Sequence, residues 1–182
     1  MRRLLFAPLI IVAALSAACA PAARGGPVRT TTVESVDLAR YSGTWYELGS
    51  IKQFFSSGLS DITANYTLAP DGASVVVVNN GRYIDFFGLE STVVGSAIPV
   101  DDSNARLNVS FNGYNSDTPP GNYWIVDLDP DYQWVIVSDP TGTSGFILSR
   151  TKAVDQGVYE SLVARAAAAG VDVSALTPTR QS

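Results

Sequence analysis

The chain has 182 residues, a formal net charge of −5, one cysteine and no histidine. Ser-His-Asp and Cys-His catalysis, and histidine-ligated zinc or haem, are thereby excluded, and without a basic stripe there is little to meet nucleic-acid phosphates. A chain this long can bury a self-sufficient core, and it must, because a lone cysteine closes no internal disulfide.

Arg2 and Arg3 precede an almost unbroken apolar run from Leu4 to Leu15, followed by Ser16, Ala17 and Ala18. The run is too short to span a bilayer and has the flanks of a signal peptide. Leu15-Ser16-Ala17-Ala18-Cys19 resembles a bacterial lipobox, with Ser16 where an aliphatic residue is usual. That resemblance implies a signal over residues 1–18 and acylation of Cys19; the alternative is an ordinary secretory signal cleaved near Ala20. Loss of Arg2 and Arg3 takes the formal charge from −5 to about −7, so membrane attachment is expected through acyl chains on Cys19 and not through a basic patch. Residues 20–32 show no periodicity and read as a flexible tether. The expected organisation is a lipidated Cys and tether over 19–35, one domain over 36–178 and a short tail over 179–182.

The segment Gly43-Thr44-Trp45-Tyr46-Glu47 opens the first strand pattern. Glycine permits a backbone bend that a Cβ would block, and a tryptophan two residues on is large enough to plug the end of a small barrel. Thr44–Ile51 alternates, and Asp61–Leu68 follows. Pro70-Asp71-Gly72 turns the chain into Ser74–Asn79, whose four consecutive valines suggest burial on both faces. Thr92–Ile98, Arg106–Phe111, Tyr123–Leu128, Gln133–Val137 and Gly145–Arg150 complete eight strands, with Asn112–Gly121 as a loop. After Arg150 the period changes: Val154, Val158, Leu162 and Ala166 recur at helical spacing, with Asp155 as N-cap and Gly170 as the stop. The predicted fold is all-β: an eight-stranded antiparallel up-and-down β-barrel with one C-terminal α-helix packed outside.

Asp37-Leu38-Ala39-Arg40-Tyr41-Ser42-Gly43-Thr44-Trp45-Tyr46-Glu47-Leu48, then Asp127-Leu128-Asp129-Pro130-Asp131-Tyr132, then Ile147-Leu148-Ser149-Arg150 resemble, in order, the three signature regions of the lipocalin family. Within it the chain is most similar to bacterial outer-membrane lipoprotein lipocalins, a subgroup close to apolipoprotein D. Leu128 stands where the family usually has threonine. The resemblance implies a cup for a small hydrophobic ligand, such as a fatty acid or lysophospholipid; no cofactor, metal or nucleic-acid partner is expected. It also implies a lipid-anchored location in the cell envelope.

Trp45 and Arg150 lie on strands that are neighbours in a closed barrel, where a guanidinium can stack on an indole face; with Gly43 they are read as fold residues. If Trp45 points inward, the period of two carries Glu47, Gly49 and Ile51 inward. Family parity implies Trp134, Ile136, Phe146 and Leu148 inward on the last strands. The lining residues expected to meet ligand are Tyr66, Val109, Phe111, Tyr123, Trp134 and Phe146. Glu47 is the polar exception: it either answers a ligand headgroup or belongs to a structural buried pair. Phe54, Phe55, Phe86 and Phe87, in two loops at the open end, either form an apolar rim or fold into the cavity. The leading function is a membrane-anchored lipid-binding protein. The alternatives are lipid chemistry through Glu47, or an envelope interaction module with a filled cavity.

Overall fold

Asp37 starts the domain by capping a single helical turn. The computed structural model describes residues 27–51, 57–85 and 87–182. In it, the Asp37 carboxylate accepts the backbone N–H groups of Ala39 and Arg40 to begin α1 (Leu38–Tyr41). Gly43, at φ +100°, then bends the chain straight into β1 (Gly43–Ile51).

Seven further antiparallel strands follow: β2 (Leu59–Leu68), β3 (Val75–Tyr83), β4 (Glu90–Pro99), β5 (Arg106–Ser110), β6 (Tyr123–Leu128), β7 (Trp134–Ser138) and β8 (Gly145–Ser149). Each pairs with the next, β8 pairs with β1, and β1 pairs back onto β2, so the sheet closes into the expected barrel. Closure removes the exposed strand edges of an open sheet. The four valines do not bury on both faces: Val75 and Val77 are 3% and 1% exposed and point into the barrel, whereas Val76 is 41% exposed.

The sequence reading missed a ninth strand. Beyond Tyr46 and Thr63, β1 leaves β2, and β9 (Leu176–Pro178) takes the vacated edge opposite Gly49–Ile51. Residues 179–182 continue along the same seam: Thr179 N–H donates to Leu48 C=O, Asp61 N–H to Arg180 C=O, and the Gln181 amide to the carbonyls of Glu47 and Ile62. The tail thus straps the barrel where its first two strands separate.

Residues 29–33, which the sequence places in the tether, are bound to the barrel. Arg29 N–H donates to Pro140 C=O (2.8 Å), the Thr30 hydroxyl to Asp139 C=O (2.8 Å) and Val33 N–H to Ile125 C=O (3.0 Å). From Arg29 onward the chain is laid against the barrel wall.

Helix α2 (Gln156–Ala168) starts after Asp155, although the Asp155 side chain makes no cap hydrogen bond. Leu162 buries against Leu48 and Ile147, and Ala166 against Ile51, Trp124 and Ile136. Val158, assigned by spacing to the apolar face, is 45% exposed, and Tyr159 turns to the sheet in its place. A Cβ on Gly49 would stand 2.6 Å from the Tyr159 hydroxyl, so glycine there lets the helix settle onto β1. Arg165 fixes the other end, chelating Asp127 at 2.7 and 2.9 Å and lying 4.7 Å over the Trp134 ring.

Candidate functional site: the barrel interior

The closed end is built around Trp45, which is completely buried. Its indole N–H donates to Tyr41 C=O at 2.8 Å, and the Arg150 guanidinium lies 3.8 Å from the ring centroid. Arg150 also donates to the carbonyls of Thr44 (2.9 Å), Arg40 (2.9 Å), Ser42 (3.0 Å) and Tyr41 (3.2 Å). Arg40, Tyr41 and Ser42 lie at the end of the one-turn helix, where backbone carbonyls run out of intrahelical partners. A Cβ on Gly43 would sit 3.2 Å from Arg150 Nη1, so Gly43 provides both the turn and the clearance. Burial draws the Arg150 pKa below the ordinary guanidinium value, and the side chain remains a cation at any physiological pH.

Above this floor stand three tyrosines. The Tyr123 hydroxyl is 2.7 Å from that of Tyr41 and 2.9 Å from that of Tyr66, and the Tyr41 and Tyr66 rings meet edge-on at 5.3 Å. Burial pushes Tyr66 up to about 12, with the Glu47 charge adding to the rise, and raises Tyr41 and Tyr123 well above the ordinary phenol value. All three are neutral donors and acceptors at pH 7. Leu38, Val75, Ala97, Leu107, Val109 and Ile125 surround them, leaving a void of about 10 Å³, barely room for one water. The lower half of the barrel is therefore packed core.

Glu47 is buried beside this storey. A bulge between Glu47 and Gly49 shifts the register of β1 against β8, so that Glu47 pairs with Leu148, and Ser50, not Gly49, with Phe146. Glu47 Oε1 accepts from the Ser50 hydroxyl (2.8 Å) and the Thr179 hydroxyl (2.5 Å). Both donors went unnoticed in the sequence: Thr179 lies 132 positions away, and Ser50 falls on the wrong parity unless the bulge is known.

Toward the other end the inward positions become accessible. Val77 and Ala97 are each 1% exposed, but Val93 and Phe111, on inward positions nearer the mouth, are 45% and 41% exposed. Asn79, opposite Ala64 and Val93, also faces this region, and its buried side-chain carbonyl has no hydrogen-bond partner among the described residues. At the β3–β4 tip Phe87 is fully exposed, with Ile84 at 51% and Leu89 at 63%. Phe54, Phe55 and Phe86, like Cys19, lie outside the described residues.

Four inward assignments need correction. Trp134 and Ile136 do not face the cavity: they pack beneath α2, and Val135 and Val137 point inward in their place. Strand β7 is buried on both sides, so its apolar run carries no alternation, and a bulge between Ile125 and Asp127 resets the pairing of β6 with β7. Gly49 and Ile51 face the helix layer for the corresponding reason on β1. Tyr66, Val109 and Tyr123 surround the small void, Phe146 packs against the interior cluster, and Phe111 lies nearer the mouth.

A closed barrel with a plugged floor, whose inward residues grow more exposed toward the other end, places the molecule among the cup-shaped β-barrels. A family model described as a lipocalin-like domain matches residues 36–181. The outer membrane lipoprotein Blc of Citrobacter freundii is 33% identical over 176 residues, covering 95% of this chain and 97% of that protein. Temperature-induced lipocalin-1 of Arabidopsis thaliana is 35% identical over 162 residues, 82% of each chain. Among solved structures, insecticyanin from the tobacco hornworm Manduca sexta superposes with a TM-score of 0.59 at 14% identity, covering 87% of each chain. The chain belongs to the lipocalin family.

Proposed function

We propose that this lipocalin is a membrane-anchored lipid-binding protein of the cell envelope. It holds a fatty acid, lysophospholipid or similarly slender lipophile in the upper barrel. The observation that carries the reading is the gradient along the inward face, from Val77 and Ala97 at 1% exposure to Val93 and Phe111 above 40%. An acyl chain entering from the mouth would bury apolar surface over Val93, Phe111 and Phe146 and stop at the tyrosine storey. Burial of that kind yields about 25 cal/mol per Å². The envelope location is supported by the Blc relative, an outer membrane lipoprotein by name, and by Cys19 after a signal-like segment. The exposed Phe87, Ile84 and Leu89 suit a mouth that meets a bilayer or a lipid tail.

A binding role is favoured over catalysis because Glu47, the carboxylate offered for lipid chemistry, is engaged by Ser50 and Thr179 in a structural arrangement. The test is a titration of the full chain with an environment-sensitive fluorescent fatty acid, displaced by unlabelled fatty acid or lysophospholipid. Saturable binding with displacement supports the proposal; a linear, non-displaceable signal rejects it.

A further inference from the structure

Strands β5 and β6 share a short ladder, Arg106 with Trp124 and Leu107 with Tyr123, which ends where Asn122 N–H donates to Leu107 C=O (2.9 Å). Asn122 spans the opening with its side chain, accepting from Val109 N–H (2.8 Å) and donating to Val109 C=O (2.9 Å). Beyond it lies an open basin of about 620 Å³ between the end of β5 and the β5–β6 loop. Its volume falls within the roughly 300–1,000 Å³ of small-molecule sites. Its inner side is Val109 and Phe111, which belong to the barrel wall.

The outer walls are amides, hydroxyls and one phenol ring: among the described residues that line it, none carries a carboxylate, ammonium or guanidinium. The loop that forms them is tied down. Asn108 Nδ2 donates to the carbonyls of Ser116 (2.9 Å) and Thr118 (2.8 Å), and Asn115 Nδ2 to those of Ser96 (2.8 Å) and Asn108 (3.0 Å). Asn112 Oδ1 accepts from the Ser110 hydroxyl (2.6 Å) and Tyr114 N–H (3.0 Å), which leaves its NH₂ to point elsewhere. Tyr114 is 86% exposed, presenting a ring face and a hydroxyl. The Phe111 ring lies over Gly95, where a Cβ would stand 2.5 Å from it, so the glycine makes room for an aromatic surface between basin and barrel.

We infer that this basin is a headgroup site for a neutral, polyhydroxylated group, such as the sugar of a single-chain glycolipid whose tail runs over Phe111 into the barrel. Hydroxyls both donate and accept, as do the amides facing them, and the C–H face of a sugar ring suits the Tyr114 and Phe111 rings. A phosphate, carboxylate or ammonium placed here would be partly desolvated with no countercharge. The inference rests on the lipid-binding reading, and its test separates the two.

The full chain, held in detergent-free peptide discs and loaded with the fluorescent fatty acid, is titrated with dodecyl β-glucoside, dodecylphosphocholine and dodecanoate, which share one tail. Dodecyl glucoside is expected to displace the probe at about tenfold lower concentration than either charged amphiphile, the size of one or two aromatic and hydrogen-bond contacts. Tyr114→Ala, alone and with Asn112→Ala, should abolish that preference while dodecanoate displacement stays unchanged. Methyl β-glucoside, the headgroup without the tail, should leave the probe in place; displacement by it would overturn the joint binding of tail and sugar. Equal potency of the three amphiphiles, or a preference that survives Tyr114→Ala, overturns the headgroup site and leaves the lipid reading standing. No displacement by any of them overturns both.

Discussion

The three interior tyrosines should make the protein's stability fall steeply in alkali. Tyr66 ionises near pH 12 in the folded barrel because burial and the Glu47 charge disfavour a phenolate, whereas an unfolded chain ionises near 10. A group whose folded pKa is raised stabilises the fold fully below its unfolded pKa and loses that contribution as pH rises toward the folded value. The Tyr66 contribution is therefore intact below pH 10 and gone by about pH 12. A two-unit displacement corresponds to about 2.7 kcal/mol. Tyr41 and Tyr123 are raised in the same direction, Tyr41 in spite of the nearby Arg150 charge, and steepen the fall. The assay is urea unfolding at intervals from pH 8 to 11.5, with tyrosinate absorbance followed in parallel. Tyr66→Phe loses one hydroxyl contact to Tyr123, about 1 kcal/mol at pH 8, but should show a shallower alkaline slope than the parent. Stability that is flat across this range, or a folded protein whose phenols all titrate near pH 10, would refute the tyrosine storey.

Other substitutions probe the remaining layers. Arg150→Lys keeps the charge but cannot reach four carbonyls and the Trp45 face together, and should cost about 2–3 kcal/mol in chemical denaturation. Asn79→Val removes a buried carbonyl that has no partner among the described residues and should raise stability by about 1 kcal/mol, again read by denaturant midpoint. Trp134→Phe trims a residue under α2 and outside the cavity; it should lower stability by about 1–2 kcal/mol while leaving fatty-acid affinity within a factor of two. A large affinity loss would return Trp134 to the lining.

The sequence exposes those parts of this fold in which local chemistry is unambiguous. Strands β2 and β5, flanked by turns, show their limits within two residues, and Gly43, Trp45 and Arg150 mark the closed end because a glycine bend, an indole plug and a cation fit no other place so well. Parity fails where both faces of a strand are buried. In β7, Trp134-Val135-Ile136-Val137 sits between barrel core and helix, so every residue is apolar and the pattern has no phase. Bulges in β1 and β6 then shift register invisibly. Contacts made across long sequence separations are likewise silent: nothing near Glu47 announces Thr179, and nothing in residues 29–33 announces a binding strip on the barrel wall. The β5–β6 basin was legible only as a loop, because its character depends on which asparagine amides turn inward to bind backbone and which remain outward.

The most direct test of a lipid-filled upper barrel is native mass spectrometry of the full chain after exposure to mixed envelope lipids, with the parent compared to Val93→Trp. Val93 is inward-facing yet 45% exposed, so the indole should occupy the chamber without disrupting the core. One non-covalently bound single-chain lipid per protein, released on collisional activation and lost in Val93→Trp, is the predicted result. A parent that retains no lipid, or a variant that retains it equally, would contradict the account.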